Sequence, residues 1–426
     1  PVYPPKLSAS GRYLVDQTNQ PFFINGESAW SVITQISRED ASLFLENRKQ
    51  KGFNVFLAML INHEFTANAP RNFYGAQPFT TAGDFNTPNE AYFAHADWVI
   101  NTAASKGQVV MLAPIYLGWQ CSSQGWCAEI RNSSLATMRN WGRYVGNRYK
   151  NVPNLIWLIG GDADAVAHGV QDKVQEFVTG LLEFDTNHLM TVHNGRGQSG
   201  ASVWPNASWL TLNSLYTDGI TYNQAASEYN RVPVKPAFLI ESYYENEHSS
   251  TPVSLRSQAY WTVLAGGTSG HVFGNCPVTT FSAGLGACGN PGWQSQLDSS
   301  GAVTVGLVGK LFTSRPFQDL VPDLAHQVMT AGYQSGTTYA PAARTSNGST
   351  VIAYIPTQRT ITLDMTKIAG TSARMWWYNP RTGASTSAGD LPTTGTRTLT
   401  PPDANDWVLV ADNAALNLPA PGGGST

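Results

Sequence analysis

Residues 155–164 of the chain read LIWLIGGDAD, an apolar run that ends in two glycines and an acid. A short apolar run bounded by such a turn is typical of a strand buried on both faces. Seven more runs of this kind alternate with stretches of helical spacing, such as residues 37–52, where Ser37 is followed by acids of a first helical turn. The eight predicted strands are PFFIN (21–25), NVFLAML (54–60), VVMLAPIY (109–116), LIWLIG (155–160), LMTVH (189–193), WLTLNSLY (209–216), AFLIE (237–241) and SGHVFG (269–274).

Eight buried strands that alternate with helices over roughly 300 residues predict an α/β fold, a (β/α)8 TIM barrel. An open doubly wound sheet is disfavoured, because no Gly-rich phosphate loop follows an early strand. Near residue 325 helix formers thin out and short strands separated by turns take over, which predicts a C-terminal all-β sandwich. We therefore expect a catalytic barrel over 1–325, a β-sandwich over 326–413 and a flexible tail over 414–426.

The composition excludes several classes of protein. Of the 426 residues 42% are hydrophobic and 11% aromatic, so a large core can form and a disordered chain is excluded. Charged residues make up only 13% and the net charge is -3, so the chain offers no surface for a polyanion. No apolar run has the length of a membrane span. We expect no nucleic-acid partner and no membrane partner.

Cysteine usage and polar composition predict a secreted, extracellular protein. The four cysteines form two local pairs without the CxxC spacing of a zinc site, so disulfides are favoured over bound metal. The expected disulfides are Cys121 with Cys127 and Cys276 with Cys288. Three sequons predict glycosylation in a eukaryotic secretory route, at Asn132, Asn206 and Asn347. The absence of a signal peptide fits a mature chain, which we expect to be a monomer.

Two acids stand directly at the ends of predicted strands. Asp162 follows the fourth strand, and Glu241 closes the seventh. Catalytic residues of a (β/α)8 barrel lie at the C-terminal strand ends, and a carboxylate beside a buried strand is costly unless it is hydrogen-bonded or functional. The structural alternative is that each acid caps a helix or pairs with an arginine. Two acids at an aromatic barrel mouth are what glycoside hydrolysis requires.

Aromatic, imidazole and amide side chains follow the other predicted strands. Aromatic rings suit the C–H faces of sugars and the polar groups suit their hydroxyls, although core packing is the alternative for any single ring. The predicted substrate-binding residues are Trp30, His63, Tyr116, Trp119, His193, Asn194, Tyr216, Tyr243, His271 and Asn275. The histidines lack HxH or HExxH spacing, so we expect no metal and no other cofactor. A serine hydrolase is disfavoured, because no GxSxG elbow is present.

At these residues the chain resembles the apiosidase-like glycoside hydrolases, whose TIM barrel is followed by a β-sandwich once labelled collagen-binding. The resemblance covers nearly the whole chain and rests on GRYLVDQTNQPFFINGESAWSVI, NVPNLIWLIGGDAD, KPAFLIESYYE, GGTSGHVFGN, MWWYNPRTG and PPDANDWVLV. It implies that the catalytic pair is the strand-four acid, here Asp162, and the strand-seven acid, here Glu241. The turn YNPRTG lacks the family's usual Asp before Pro, and VFGN stands where Tyr is common. The resemblance therefore implies the activity class, not the sugar.

These observations predict a secreted glycoside hydrolase that cleaves a plant or microbial polysaccharide or glycoside. We expect a retaining double displacement with Glu241 as nucleophile and Asp162 as acid/base, because related barrels hold these carboxyls about 5 Å apart. The alternative is a non-catalytic carbohydrate-binding protein, against which the presence of both acids argues. An adhesion module has no support in the charge or repeat pattern.

Overall fold

The computed structural model describes residues 1–282 and 291–423. Three short strands form an N-terminal antiparallel sheet: β1 (Lys6–Leu7), β2 (Leu14–Val15) and β3 (Pro21–Phe22). Eight strands, each buried along its length, form the second sheet: β4 (Ile24–Ser28), β5 (Val55–Met59), β6 (Val109–Ala113), β7 (Leu155–Gly160), β8 (Met190–His193), β9 (Asn213–Tyr216), β10 (Ala237–Glu241) and β11 (Gly270–Phe273).

The eight-stranded sheet closes into a barrel. Its order is β8-β7-β6-β5-β4-β11-β10-β9, with parallel registers between neighbours such as β6 and β7. The strands at the two ends of this order also meet, because the backbone N–H of Leu212 donates to Met190 O over 3.1 Å. The predicted (β/α)8 fold class is confirmed.

Helices connect the barrel strands, and their bounds are α1 (Arg38–Gln50), α2 (Glu90–Ser105), α3 (Cys127–Asn132), α4 (Leu135–Tyr149), α5 (Gln171–Leu182), α6 (Gly200–Val203), α7 (Tyr222–Tyr229), α8 (Pro252–Leu264), α9 (Cys276–Thr279) and α10 (Ser300–Thr313). Helix α1 begins as its sequence predicts, because the side chain of Ser37 accepts a hydrogen bond from Asp40 N. No helix in the described part of the chain is long and apolar enough to cross a membrane.

Three strand predictions were inaccurate. The strand predicted over 109–116 ends at Ala113, directly before Pro114. The segment predicted as one strand over 21–25 is divided, since Pro21–Phe22 pairs with β2 and the barrel strand begins at Ile24. The strand residues INGES do not form an apolar run, so the sequence shows no sign of a buried strand there. Glu27 can nevertheless be buried, because it forms an ion pair with buried Arg48. The strand predicted over 209–216 is shortened to Asn213–Tyr216, because two successive amides before it both donate to Met190 O and interrupt a regular ladder.

The C-terminal region is all-β. Its strands are β12 (Leu320–Pro322), β13 (Met329–Ala331), β14 (Ala342–Thr345), β15 (Thr350–Ile355), β16 (Ile361–Asp364), β17 (Ser372–Tyr378), β18 (Ser385–Pro392), β19 (Thr396–Leu399) and β20 (Trp407–Asn413). They form a six-stranded sheet, β12-β14-β15-β20-β17-β18, and a three-stranded sheet, β13-β16-β19. Side chains of both sheets, such as Met375 and Leu363, share one apolar core, as in a sandwich.

The segment that was expected to be a flexible tail after residue 413 is hydrogen-bonded as far as residue 422. Arg315 donates to Pro419 O over 2.9 Å, Ser385 Oγ donates to Pro421 O over 2.7 Å, and Gly422 N donates to Ser314 Oγ over 3.0 Å. These contacts hold the segment against its own part of the chain. The domain boundaries at 325 and 413 stay predictions.

Two compact units can be distinguished in the chain. The first comprises Pro1–Phe22, Gly26–Tyr216 and Gly274–Asp298, and the second comprises Phe23–Asn25, Thr217–Phe273 and Ser299–Thr426. Asp162 belongs to the first unit and Glu241 to the second.

Candidate active site

Asp162 stands in an unusual backbone turn directly after β7. Gly160, Gly161 and Asp162 all have positive φ angles, of 73°, 156° and 52°. A side chain at Gly161 would meet the ring of Tyr116, since a Cβ there would lie 2.2 Å from Tyr116 Cδ2. Positive φ is costly for an aspartate and is concentrated at functional sites. The turn therefore marks Asp162 as a candidate catalytic residue on grounds separate from its strand position.

His193 and Tyr216 hold Asp162 from the next two strands. The backbone N–H of Asp162 donates to His193 Nδ1 over 2.7 Å, so this ring nitrogen acts as an acceptor. The hydroxyl of Tyr216 donates to Asp162 Oδ1 over 3.2 Å. Both residues were predicted from the sequence as substrate-binding, and the structure gives them contacts that orient the acid.

Aromatic rings surround this group. Trp30 makes edge-to-face contacts with Tyr116 and His193 at centroid distances of 5.4 and 5.5 Å, and His193 lies 4.8 Å from the Tyr216 ring. The exposed guanidinium of Arg196 lies 5.6 Å from the Tyr216 ring centroid. The structure thus brings four predicted aromatic and imidazole residues together at Asp162 and adds Arg196, which was not predicted from the sequence.

The loop after β6 is tied to the Asp162 turn and closed by a disulfide. Gly118 N donates to Gly161 O over 3.1 Å, and Gln120 N donates to Asp162 O over 3.2 Å. Cys121 and Cys127 form the expected disulfide across this loop. Trp119 lies between the hydrogen-bonded residues Gly118 and Gln120. It is 53% exposed, so its ring is available to a ligand. The second expected disulfide includes Cys288, which lies outside the described residues, so that pairing stays a prediction.

His63 faces the same loop. Its Nδ1 lies 2.7 Å from Ser123 O, and its Nε2 lies 2.8 Å from Glu129 Oε1. The hydrogen bond to Glu129 raises the pKa of the His63 imidazole. His63, Trp126 and Glu129 also line a cavity of about 210 Å³. His63 therefore serves first as a partner of Glu129.

Two predicted substrate-binding amides are buried and support loops. Asn194 Nδ2 donates to Ser199 O over 2.9 Å, and Asn275 Nδ2 donates to Gln296 Oε1 over 3.2 Å. Both side chains hold turns of the first unit together.

In the second unit, the segment after β10 is fixed by a buried glutamine of α8. Glu241 is 9% exposed. Gln258 Oε1 accepts hydrogen bonds from Ser242 Oγ over 3.0 Å and from Tyr243 N over 3.2 Å, and its Nε2 donates to Tyr243 O over 3.1 Å. Gln258 was not predicted from the sequence, although a lone amide within the apolar stretch of α8 is a detectable signal.

Tyr243 and His271 have different surroundings within this unit. The half-buried Tyr243 ring stacks on His248 with a centroid distance of 4.5 Å. His271 is buried within β11, and its Nε2 lies 2.8 Å from Asn25 Oδ1, whose amide donates to Gly306 O of α10. Burial lowers the pKa of His271 to about 3. His271 therefore lies between the sheet and α10, which does not fit its predicted contact with substrate.

The positions of the sequon asparagines and the distribution of candidate metal ligands can be read from the structure. The three sequon asparagines, Asn132, Asn206 and Asn347, are exposed. Over residues 1–282 and 291–423, no group of three or more His, Cys, Asp or Glu side chains has the arrangement of a metal site.

The chain is similar to known proteins over almost its whole length. The family model described as "Apiosidase-like, catalytic domain" matches residues 8–319, and "Putative collagen-binding domain of a collagenase" matches residues 321–412. A solved structure titled "Glycoside hydrolase" is 25% identical, with a TM-score of 0.85 over 96% of this chain and 97% of that chain. A glycoside hydrolase family 5 structure from Bacteroides vulgatus is 23% identical, with a TM-score of 0.86 over 96% and 93%. No curated protein sequence matches the chain.

Proposed function

The chain belongs to the apiosidase-like family of glycoside hydrolases, and we propose that it cleaves its carbohydrate substrate by a retaining double displacement. Glu241 is the nucleophile that attacks the anomeric carbon, and Asp162 is the acid that protonates the departing oxygen. After the first step Asp162 accepts a proton from water, which hydrolyses the glycosyl-enzyme.

The observation that carries this proposal is that two strands of one parallel barrel end at a carboxylate, each with dedicated supporting contacts. Asp162 accepts a hydrogen bond from the Tyr216 hydroxyl and lies in a strained turn. Glu241 ends β10 just before the segment that Gln258 fixes. The exposed Trp119 ring, two residues before the disulfide-bonded Cys121, supplies an aromatic platform for a sugar beside the acid.

The test uses the full chain with a panel of 4-nitrophenyl furanosides and pyranosides and with plant and fungal polysaccharides. We expect release of nitrophenol or reducing sugar from at least one substrate, and NMR of the first product should show the anomer of the substrate. An inverted first product would contradict retention and would make Glu241 a base acting through water. Binding of polysaccharide without any turnover would favour the carbohydrate-binding alternative.

We also propose that the protein is a secreted, extracellular, glycosylated monomer. The disulfide between Cys121 and Cys127 supports this, because disulfides persist in oxidising compartments. Exposure of the three sequon asparagines is what glycan attachment requires. Mass spectrometry of protein secreted from a eukaryotic host, before and after enzymatic deglycosylation, tests the glycans, and light scattering tests the oligomeric state. Protein found only in the cytosolic fraction would contradict secretion.

A further inference from the structure

Helix α8 is buried from Leu255 to Leu264 and nevertheless contains an arginine, a serine and a glutamine. Buried polar groups are costly unless they are paired, so their partners show what the helix holds together. One partner of Arg256 is Thr304 of α10, whose hydroxyl oxygen accepts a hydrogen bond from Nη1 over 3.1 Å. The other partners lie in two places within the second unit.

The first set of partners is the segment that follows Glu241. The side-chain amide of Gln258 forms hydrogen bonds with Ser242 and Tyr243. Ser242 Oγ also accepts a hydrogen bond from the backbone N–H of Gly219 over 3.2 Å. Because Ser242 is the next residue in the chain, a shift of Gln258 would move the backbone at Glu241.

The second set of partners is in the C-terminal β-region. Arg256 forms two hydrogen bonds with the Asp406 carboxylate, of 2.7 and 2.8 Å, and the side chains are 3% and 0% exposed. The Tyr354 hydroxyl lies 3.0 Å from Asp406 Oδ2 and 3.1 Å from Ser257 Oγ. The Trp261 indole donates to Tyr339 O over 2.8 Å. Four contacts therefore connect consecutive turns of α8 to the β-region.

We propose that the C-terminal β-region positions the nucleophile through α8. Asp406 fixes Arg256, this holds the helix in place, and Gln258 on the same helix fixes the backbone beside Glu241. Asp406, Arg256 and Gln258 are positioning residues and do not contact the reacting atoms. The inference rests on the proposed role of Glu241 as nucleophile.

The chain offers a matched control at the other end of β20. Asp412 forms a second buried ion pair, with Arg315, and accepts the Thr350 hydroxyl over 2.8 Å. This pair also anchors the β-region, but Arg315 follows α10 and not α8. Asp406→Asn and Asp412→Asn therefore remove the same charge from similar buried pairs.

The experiment compares the full-length chain with Asp406→Asn, Asp412→Asn and Gln258→Leu, using the 4-nitrophenyl glycoside that the unmodified chain turns over fastest. Thermal unfolding should show similar destabilisation in the two aspartate variants. At a temperature where all are folded, kcat should fall about 10- to 100-fold in Asp406→Asn and Gln258→Leu, with KM nearly unchanged, and less than about threefold in Asp412→Asn.

Equal kcat values for the two aspartate variants would overturn the proposal. If Asp406→Asn does not fold, Tyr354→Phe removes one hydroxyl from the same network and keeps the ring; an unchanged kcat in that variant would likewise count against positioning. Glu241→Gln is measured in parallel. Turnover retained by Glu241→Gln would overturn the nucleophile assignment itself, whereas its loss together with a normal Asp406→Asn would overturn only the positioning role.

Discussion

The two acid-bearing segments are held by different means. Asp162 is partly exposed, follows two glycines with positive φ, and is bound through its backbone to His193 and to the loop at Gln120. Glu241 is nearly buried at the end of a regular strand, and the residues after it are bound by a side chain from a buried helix.

The difference matches what the two proposed roles require. An acid/base residue exchanges protons with leaving groups and with water, so it needs access and a defined orientation. A nucleophile must hold its oxygen on the line of attack, where a misplacement of about 1 Å can cost roughly 100-fold in rate. A loop and a turn suffice for the first task, and a buried helix suits the second.

The sharpest test of this comparison replaces each acid. Glu241→Gln should lower kcat by about 10⁴-fold or more on every substrate, because no other nucleophile replaces it. Asp162→Asn should lose much less on aryl glycosides with good leaving groups than on unactivated glycosides, since an aryl oxide departs without a proton. Steady-state rates on both substrate types decide the assignment, and equal damage by Asp162→Asn on both would refute the acid role.

The next largest effect is expected at the turn before Asp162. Gly161→Ala would push a methyl group into the Tyr116 ring and should lower the free energy of unfolding by about 3 kcal/mol. Urea denaturation measures the loss. Gly169→Ala is the control, because Gly169 also has positive φ but has nothing within 4 Å, so it should lose only about 1 kcal/mol. Similar losses in both variants would show that the Tyr116 contact is unimportant.

The disulfide loop should affect the acid more than the nucleophile. Replacing Cys121 and Cys127 together by Ser should cost about 2 kcal/mol of stability, because this bond closes a short loop. Gly118 and Gln120, which directly precede Cys121, donate hydrogen bonds to Gly161 and Asp162. The rate on unactivated glycosides should therefore fall several-fold more than on activated ones. The same rates are measured on the unmodified chain after chemical reduction, for comparison. An equal decrease in rate on activated and unactivated glycosides would contradict the link to Asp162.

The smallest effect concerns His63, beside the disulfide loop. Its pKa is raised above the usual 6.5 in the folded chain, so its ion pair with Glu129 stabilises the fold fully below pH 6.5. This contribution is lost as the pH rises through the raised value. The stability difference between the unmodified chain and His63→Gln should therefore shrink with rising pH, by less than about 1 kcal/mol in total. Chemical denaturation at several pH values measures it, and a difference independent of pH would refute the charge pairing.

Much of the fold could be predicted from the sequence, because an apolar run directly indicates a buried element. Strands such as β7 and β10 were predicted almost to the residue, as was the start of α1 at Ser37. Strand β4 was misplaced, because a glutamate in a strand looks exposed until its arginine is known. That arginine is distant in sequence and became a neighbour only through folding.

The candidate site could be predicted in part, because the predicted strands also fix where the strands end. A residue that ends a strand can be placed at the C-terminal end of a parallel barrel, which identified Asp162 and Glu241 as candidates. The direction of a side chain is not set by such a position. His271 was therefore expected at the substrate, although it packs between β11 and α10 with Asn25.

The sequence by itself determined the alternation of strands and helices, the barrel class and the two acids at strand ends, because these depend on local periodicity and order. Only the tertiary structure decided which groups orient those acids. Gln258 reaches Ser242 from 16 positions away, and Asp406 reaches Arg256 from 150 positions away. Such pairings depend on the packing of distant segments, where a buried polar group must find its partner in space.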